Sequence, residues 1–149
     1  LVPYGEIRDM TAESPTLTYN TIGRHQSSIV RTRVCSDLSP WLMEARVGEV
    51  YSVPISHGEG RFIAPEATLK QLAAAGQIAA QYVDEVGEPS MATAVNPNGS
   101  FWAIEAITSP DGRVLGKMGH SERVGKDLYK NVPGRFDMGL FRSGAKYFK

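Results

Sequence analysis

Cysteine is nearly absent. Cys35 stands alone among 149 residues, which excludes an internal disulfide, and no grouping has the Cys/His spacing of a zinc site. An excess of charge of either sign is lacking too. Sixteen Lys and Arg balance sixteen Asp and Glu with no run of like charge, so neither a nucleic-acid groove nor an anionic membrane surface has electrostatic support. No apolar run approaches the roughly 20 residues that a bilayer requires, and no basic segment with an apolar signal core opens the chain, which therefore reads as cytoplasmic. No methionine stands at Leu1, which suggests a start partway through something longer. There is no internal repeat, low-complexity tract or second domain boundary, and 42% hydrophobic content fits one soluble unit with a sizeable core.

The apolar pattern predicts a mixed chain. Pro3, Gly5 and Pro15 with charges between them give an irregular start; β-like sequence follows at 17–19 and 27–35, where Arg31 and Arg33 alternate with Val30, Thr32 and Val34. Ser39-Pro40-Trp41-Leu42 is a turn into an aromatic anchor, and 49–56 is a strand that Pro54 assigns to an edge or a break. Residues 65–75 form a helix opened by Pro65 and Glu66 and closed by Gly76, with Leu69, Leu72 and Ala73 inward. A strand over 77–84, where the alanines also allow a helical continuation, another over 101–108 and a third over 113–118 follow, the last two joined as a hairpin by 109–112. A closing helix over 138–148 uses Leu140, Phe141, Ala145 and Phe148.

Two clusters carry chemistry. In an extended segment residues two apart share a face, so His120 and Glu122, where the last strand runs out, can project together with the carboxylate holding the imidazole. A base held by an orienting acid is two thirds of a nucleophilic triad. His57-Gly58-Glu59-Gly60-Arg61 sets three ionisable groups between glycines at a strand end; it is either a site or a polar turn with a satisfied His–Glu or Glu–Arg pair. Cys35 has no neighbouring base and reads as a small buried hydrophobe. A hydrolase built from Cys35, His57 and His120 would need that thiol to meet a histidine.

These segments have a familiar order. N-P-N-G-S at 96–100 followed by V-L-G-K-M-G-H-S-E-R at 114–123 resembles the end of a class I, triad-type glutamine amidotransferase domain. S-H-G-E-G-R-F at 56–62 and S-P-W-L at 39–42 resemble phosphoribosylformylglycinamidine synthases, the opening L-V-P-Y-G-E-I-R and the closing S-G-A-K-Y-F-K are similar to their single-chain form, and the match spans nearly the whole chain.

The resemblance implies an α/β fold, flavodoxin-like, with an open and mostly parallel sheet, flanking helices and an incomplete N-terminal side. Residues 1–149 are then the C-terminal half of a glutaminase domain. It implies that glutamine is hydrolysed through a cysteine thioester, and that the ammonia passes to synthase domains which use ATP and magnesium, this half holding no cofactor or metal of its own. His120 is then the catalytic base and later acid, and Glu122 its partner; the family's usual proline between them is Ser121 here. His57, Gly58, Glu59 and Arg61 fall at a signature beside the glutamine pocket and are assigned to substrate binding, while Asn96, Asn98 and Gly99 shape a turn near it. No nucleophile is present, since the glycine-flanked cysteine motif should precede Leu1. The partners implied are glutamine, the N-terminal half of the glutaminase domain and the synthase domains, and the alternative is a catalytically silent docking module. A half-sheet with an exposed edge also predicts association in isolation.

Overall fold

The computed structural model describes residues 11–149. The L-V-P-Y-G-E-I-R match and most of the irregular opening lie outside the described residues. Among the rest the chain runs β1 (Thr16–Thr18), β2 (Gln26–Val34), β3 (Val50–His57), β4 (Arg61–Ile63), α1 (Glu66–Ala74), β5 (Ile78–Tyr82), β6 (Ile104–Thr108), β7 (Leu115–Lys117) and α2 (Leu140–Tyr147).

Five strands form one sheet in the order β3-β2-β5-β6-β7, and β1 pairs with β4 in a second, small sheet. Every pairing among the described residues is antiparallel. The mostly parallel sheet expected from the resemblance is thus corrected on this point, while strands and helices mix as expected. The reason lies in the connections: parallel neighbours need a crossover that returns the chain to the same end of the sheet. The helix best suited to that, α1, instead links β4 of one sheet to β5 of the other.

Strand β3 lies at a sheet edge and pairs only with β2, which is where Pro54, lacking an N–H, can be accommodated. In β2 the alternation holds, with Val30, Thr32 and Val34 buried and Arg31 exposed. Helix α1 starts after Pro65 and stops before Gly76, whose φ of +68° reverses the chain. Its buried stripe is Leu69 with half-buried Leu72; Ala73 is exposed, contrary to expectation.

Strand β6 begins at Ile104 rather than Phe101. Residues Phe101–Ala103 make a single 3-10 turn in which Trp102 and Ala103 take φ of +52° and +53°, and the Trp102 carbonyl accepts a 2.7 Å bond from the Gln81 side chain beside an irregular β5–β6 register. Helix α2 also presents a face other than the expected one. Its buried residues are Leu140, Ser143 and Gly144, while Phe141, Ala145 and Phe148 are exposed. The indole of Trp41 decides this: a Cβ at Gly144 would sit 2.4 Å from it, so only the small-residue face can approach.

The core that positions the site is Val30, Val53, Ile55, Tyr82 and Ala103, with Met118 packed against it. Each large apolar side chain fully buried there contributes about 1.5–3 kcal/mol. Among the described residues no helix is long and apolar enough to cross a membrane.

Candidate active site

The three residues after β7 are pinned backbone group by backbone group. Met118 N–H donates to the Glu105 carbonyl at 3.0 Å, Gly119 N–H to Glu105 Oε1 at 2.6 Å, and His120 N–H to the Pro54 carbonyl at 2.8 Å. Because β3 and β7 are opposite edges of the sheet, this turn joins the two and curls the sheet upon itself. Gly119 leaves no room for a side chain there: a Cβ would lie 2.6 Å from Val53 Cγ2 and 2.7 Å from Glu105 Oε1.

Glu105 is the buried fixture of this arrangement. Its side chain is wholly shielded from solvent; Oε1 also receives Lys117 Nζ at 2.7 Å, and Oε2 accepts from the Thr32 hydroxyl at 3.3 Å. Those donors replace the water that an interior carboxylate has lost.

His120 Nδ1 and Glu122 Oε1 are 2.7 Å apart. They meet through a turn, closed by Arg123 N–H donating to the His120 carbonyl at 3.1 Å, and not through the strand alternation expected. Ser121 faces elsewhere, buried with its hydroxyl 3.6 Å from Met138 Sδ, so its departure from proline leaves the pair intact. Burial pushes the Glu122 carboxyl up, but the hydrogen bond from its own backbone amide, the bond and charge of His120, and Arg123 at 3.8 Å together hold it below the ordinary range. A carboxylate at Nδ1 places the proton there and leaves the lone pair on Nε2. That Nε2 is buried and has no hydrogen-bond partner among the described residues.

His57, at the end of β3, lies parallel to His120 with ring centroids 5.0 Å apart and planes 10° from each other. Its Nε2 donates to the Met118 carbonyl. Burial chiefly lowers its pKa, the Met118 carbonyl opposing, which favours the neutral ring. The loop that follows is tied by Asn20, whose Nδ2 donates to the His57 carbonyl at 2.6 Å and whose Oδ1 accepts from Gly60 N–H at 3.2 Å. Asn98 Nδ2 and Ser100 Oγ both donate to the Gly60 carbonyl, at 3.1 and 3.2 Å, and a Cβ on Gly60 would be 2.2 Å from Asn98 Nδ2.

Of the four residues assigned to substrate binding, His57 is the one that stacks on the pair. Arg61 turns to the Gly99 carbonyl at 3.2 Å and lies over the Phe101 ring at 5.5 Å; Glu59 is exposed, and the Gly58 carbonyl accepts from the backbone N–H of Asn20 at 2.9 Å. Asn96 and Asn98 form the expected turn, with Gly99 at φ +78°, and bind it to the Gly60 loop. Sequence reasoning passed over Asn20 and Glu105. The signal for Glu105 was a single acid inside the apolar run I-E-A-I; Asn20 gave none beyond its turn propensity.

Cys35 stands apart. It follows the nine-residue β2, whose first residue pairs with His57, so roughly 30 Å of strand at ~3.3 Å per residue separates thiol from imidazole. Its Sγ donates to the Arg33 carbonyl at 3.3 Å and lies 3.4 Å from Gln81 Oε1, and burial raises its pKa. A triad of Cys35, His57 and His120 is excluded by this separation.

The chain is 37% identical over 131 residues to the phosphoribosylformylglycinamidine synthase subunit PurQ of Methanosarcina mazei, covering 88% of this chain and 54% of that one. It is 40% identical over 103 residues to PurQ of Moorella thermoacetica, covering 69% and 43%. Among solved structures, that of PurLQS from Thermotoga maritima superimposes with a TM-score of 0.66 at 24% identity, over 91% of this chain and 54% of that one, a likeness of fold that bears out the α/β class. The chain spans about half the length of the relatives it matches. Residues 1–148 match the CobB/CobQ-like glutamine amidotransferase domain, and the chain belongs to that family.

Proposed function

We propose that this chain supplies the general base and its orienting acid to a glutaminase that feeds ammonia to a phosphoribosylformylglycinamidine synthase. The observation that carries the reading is His120, with Nδ1 committed to Glu122 at 2.7 Å and a buried Nε2 that no described residue occupies. The names of the PurQ relatives and of the PurLQS structure support the pathway and the partner.

In the proposed reaction a cysteine on the preceding half of the domain gives its proton to His120 Nε2. The thiolate then adds to the γ-carboxamide carbon of glutamine. His120 returns that proton to the nitrogen, the C–N bond breaks, and ammonia leaves behind a thioester. Water, deprotonated by the same Nε2, adds to the thioester; the C–S bond breaks with proton return to sulfur, and glutamate departs. Glu122 stays ionised throughout and stabilises the imidazolium of each half-reaction. Under this reading ATP and magnesium act in the synthase part, on formylglycinamide ribonucleotide.

The test is glutamine turnover by the complete domain, read as glutamate released. His120→Ala is expected to abolish turnover while the protein still folds; turnover that survives the substitution removes the base from this position.

A further inference from the structure

We propose that His57 is a positioning residue for His120, holding the plane of the base, and that it does not bind glutamine. The inference rests on the proposed glutaminase role of His120. The ring of His120 leaves a pinned backbone but rotates about its own side-chain bonds, and Glu122, half exposed, fixes a single atom of it. A ring held at one atom can still swing about the Nδ1···Oε1 line and carry Nε2 away from its target. The face of His57 supplies the missing constraint.

His57 suits that task because its own ring is fixed at both ends. Its backbone is in the β3 ladder opposite Gln26, its carbonyl is held by Asn20, and its Nε2–H is spent on the Met118 carbonyl. Met118 lies two residues before His120 in the same pinned segment, so base and brace move as one body. Phenylalanine would reproduce the ring face but leave that half-buried carbonyl without its donor.

Charge also fits. The titratable groups facing His57 are His25 beside β2, Glu105 on β6 and His120 itself. With the neutral form of His57 favoured, the imidazolium formed on His120 meets the face of an uncharged ring and not a second cation. Arg61 and Glu59, the other ionisable members of the loop, are turned elsewhere or exposed.

The experiment uses the complete glutaminase with His57→Ala and His57→Phe, each measured for kcat and KM and for the His120 ring-proton resonances. His57→Ala is expected to lower kcat about 10–100-fold with KM within about twofold. It should also remove the ring-current shift of His120. His57→Phe keeps the ring-current shift and regains most of kcat, and it stands as the readout if the alanine variant fails to fold. A KM raised about tenfold with kcat retained makes His57 a glutamine ligand and overturns the proposal, as does a His120 resonance unmoved by either substitution. A wild-type enzyme that turns over no glutamine overturns the glutaminase reading instead, and the resonances then test the stacking by themselves.

Discussion

The Nδ1 and Nε2 atoms of His120 have opposite fates, and the difference is made by Glu122. A hydrogen bond from Nδ1 to a carboxylate at 2.7 Å fixes the tautomer and stabilises the ring when it charges. Glu122→Gln preserves the shape and removes the charge, so kcat for glutamine is expected to fall about 10²–10⁴-fold with little change in KM. The pH sense follows from the carboxyl being held low: its support is fully present above the ordinary carboxylate range and is lost only as pH falls through the lowered pKa. A steady-state pH series on both proteins checks this, the gap between them closing only on the acid side, as pH falls through the lowered carboxyl pKa. At this scale the sequence was informative for the pair, because H-x-E places base and acid within reach in several backbone conformations. It was uninformative for Asn20 and Glu105, whose roles exist only once distant strands bring backbone N–H and carbonyl groups to them.

Strands β6 and β7 form a hairpin whose interior holds an ion pair, and that pair governs both stability and site geometry. Glu105→Gln leaves Lys117 buried without its counter-charge, a loss expected to cost about 3–5 kcal/mol. Replacing both, as Glu105→Leu with Lys117→Met, is expected to recover most of that stability in urea unfolding. Turnover should nevertheless be absent from the double variant, since a leucine in place of Glu105 leaves Gly119 N–H without an acceptor and the His120 turn loosens. Turnover returning in the double variant would show that the hydrogen bond to Gly119 is dispensable. Element identity was legible for α1, with its proline start and glycine stop, and for the β6–β7 hairpin. The inward face of α2 was not, because its aromatic residues outweigh Ser143 and Gly144 in any hydrophobic pattern while only the small ones admit Trp41. The late start of β6 escaped for a like reason: alternation at 101–103 gives no sign of two left-handed residues in succession.

Across the whole molecule, a sheet whose edges are β3 and β7 curls until the turn after β7 reaches Pro54, and this closure places His57 against His120 although 63 positions separate them in sequence. The α/β class was readable from the resemblance, but the antiparallel pairing was not, since strand direction depends on which sheet each connection enters. Closure also explains the seat of the proposed base: His120 projects from a backbone bound to both sheet edges, with Nε2 buried and unpaired among the described residues. The central claim is that this nitrogen serves a cysteine outside Leu1–Lys149. It is tested most directly by treating the complete domain with an electrophilic glutamine analogue and locating the adduct by peptide mass spectrometry. The account predicts one adduct on a cysteine preceding this chain, formed more slowly with His120→Ala and at an unchanged rate with Cys35→Ser. An adduct on Cys35, or labelling indifferent to His120, would contradict it.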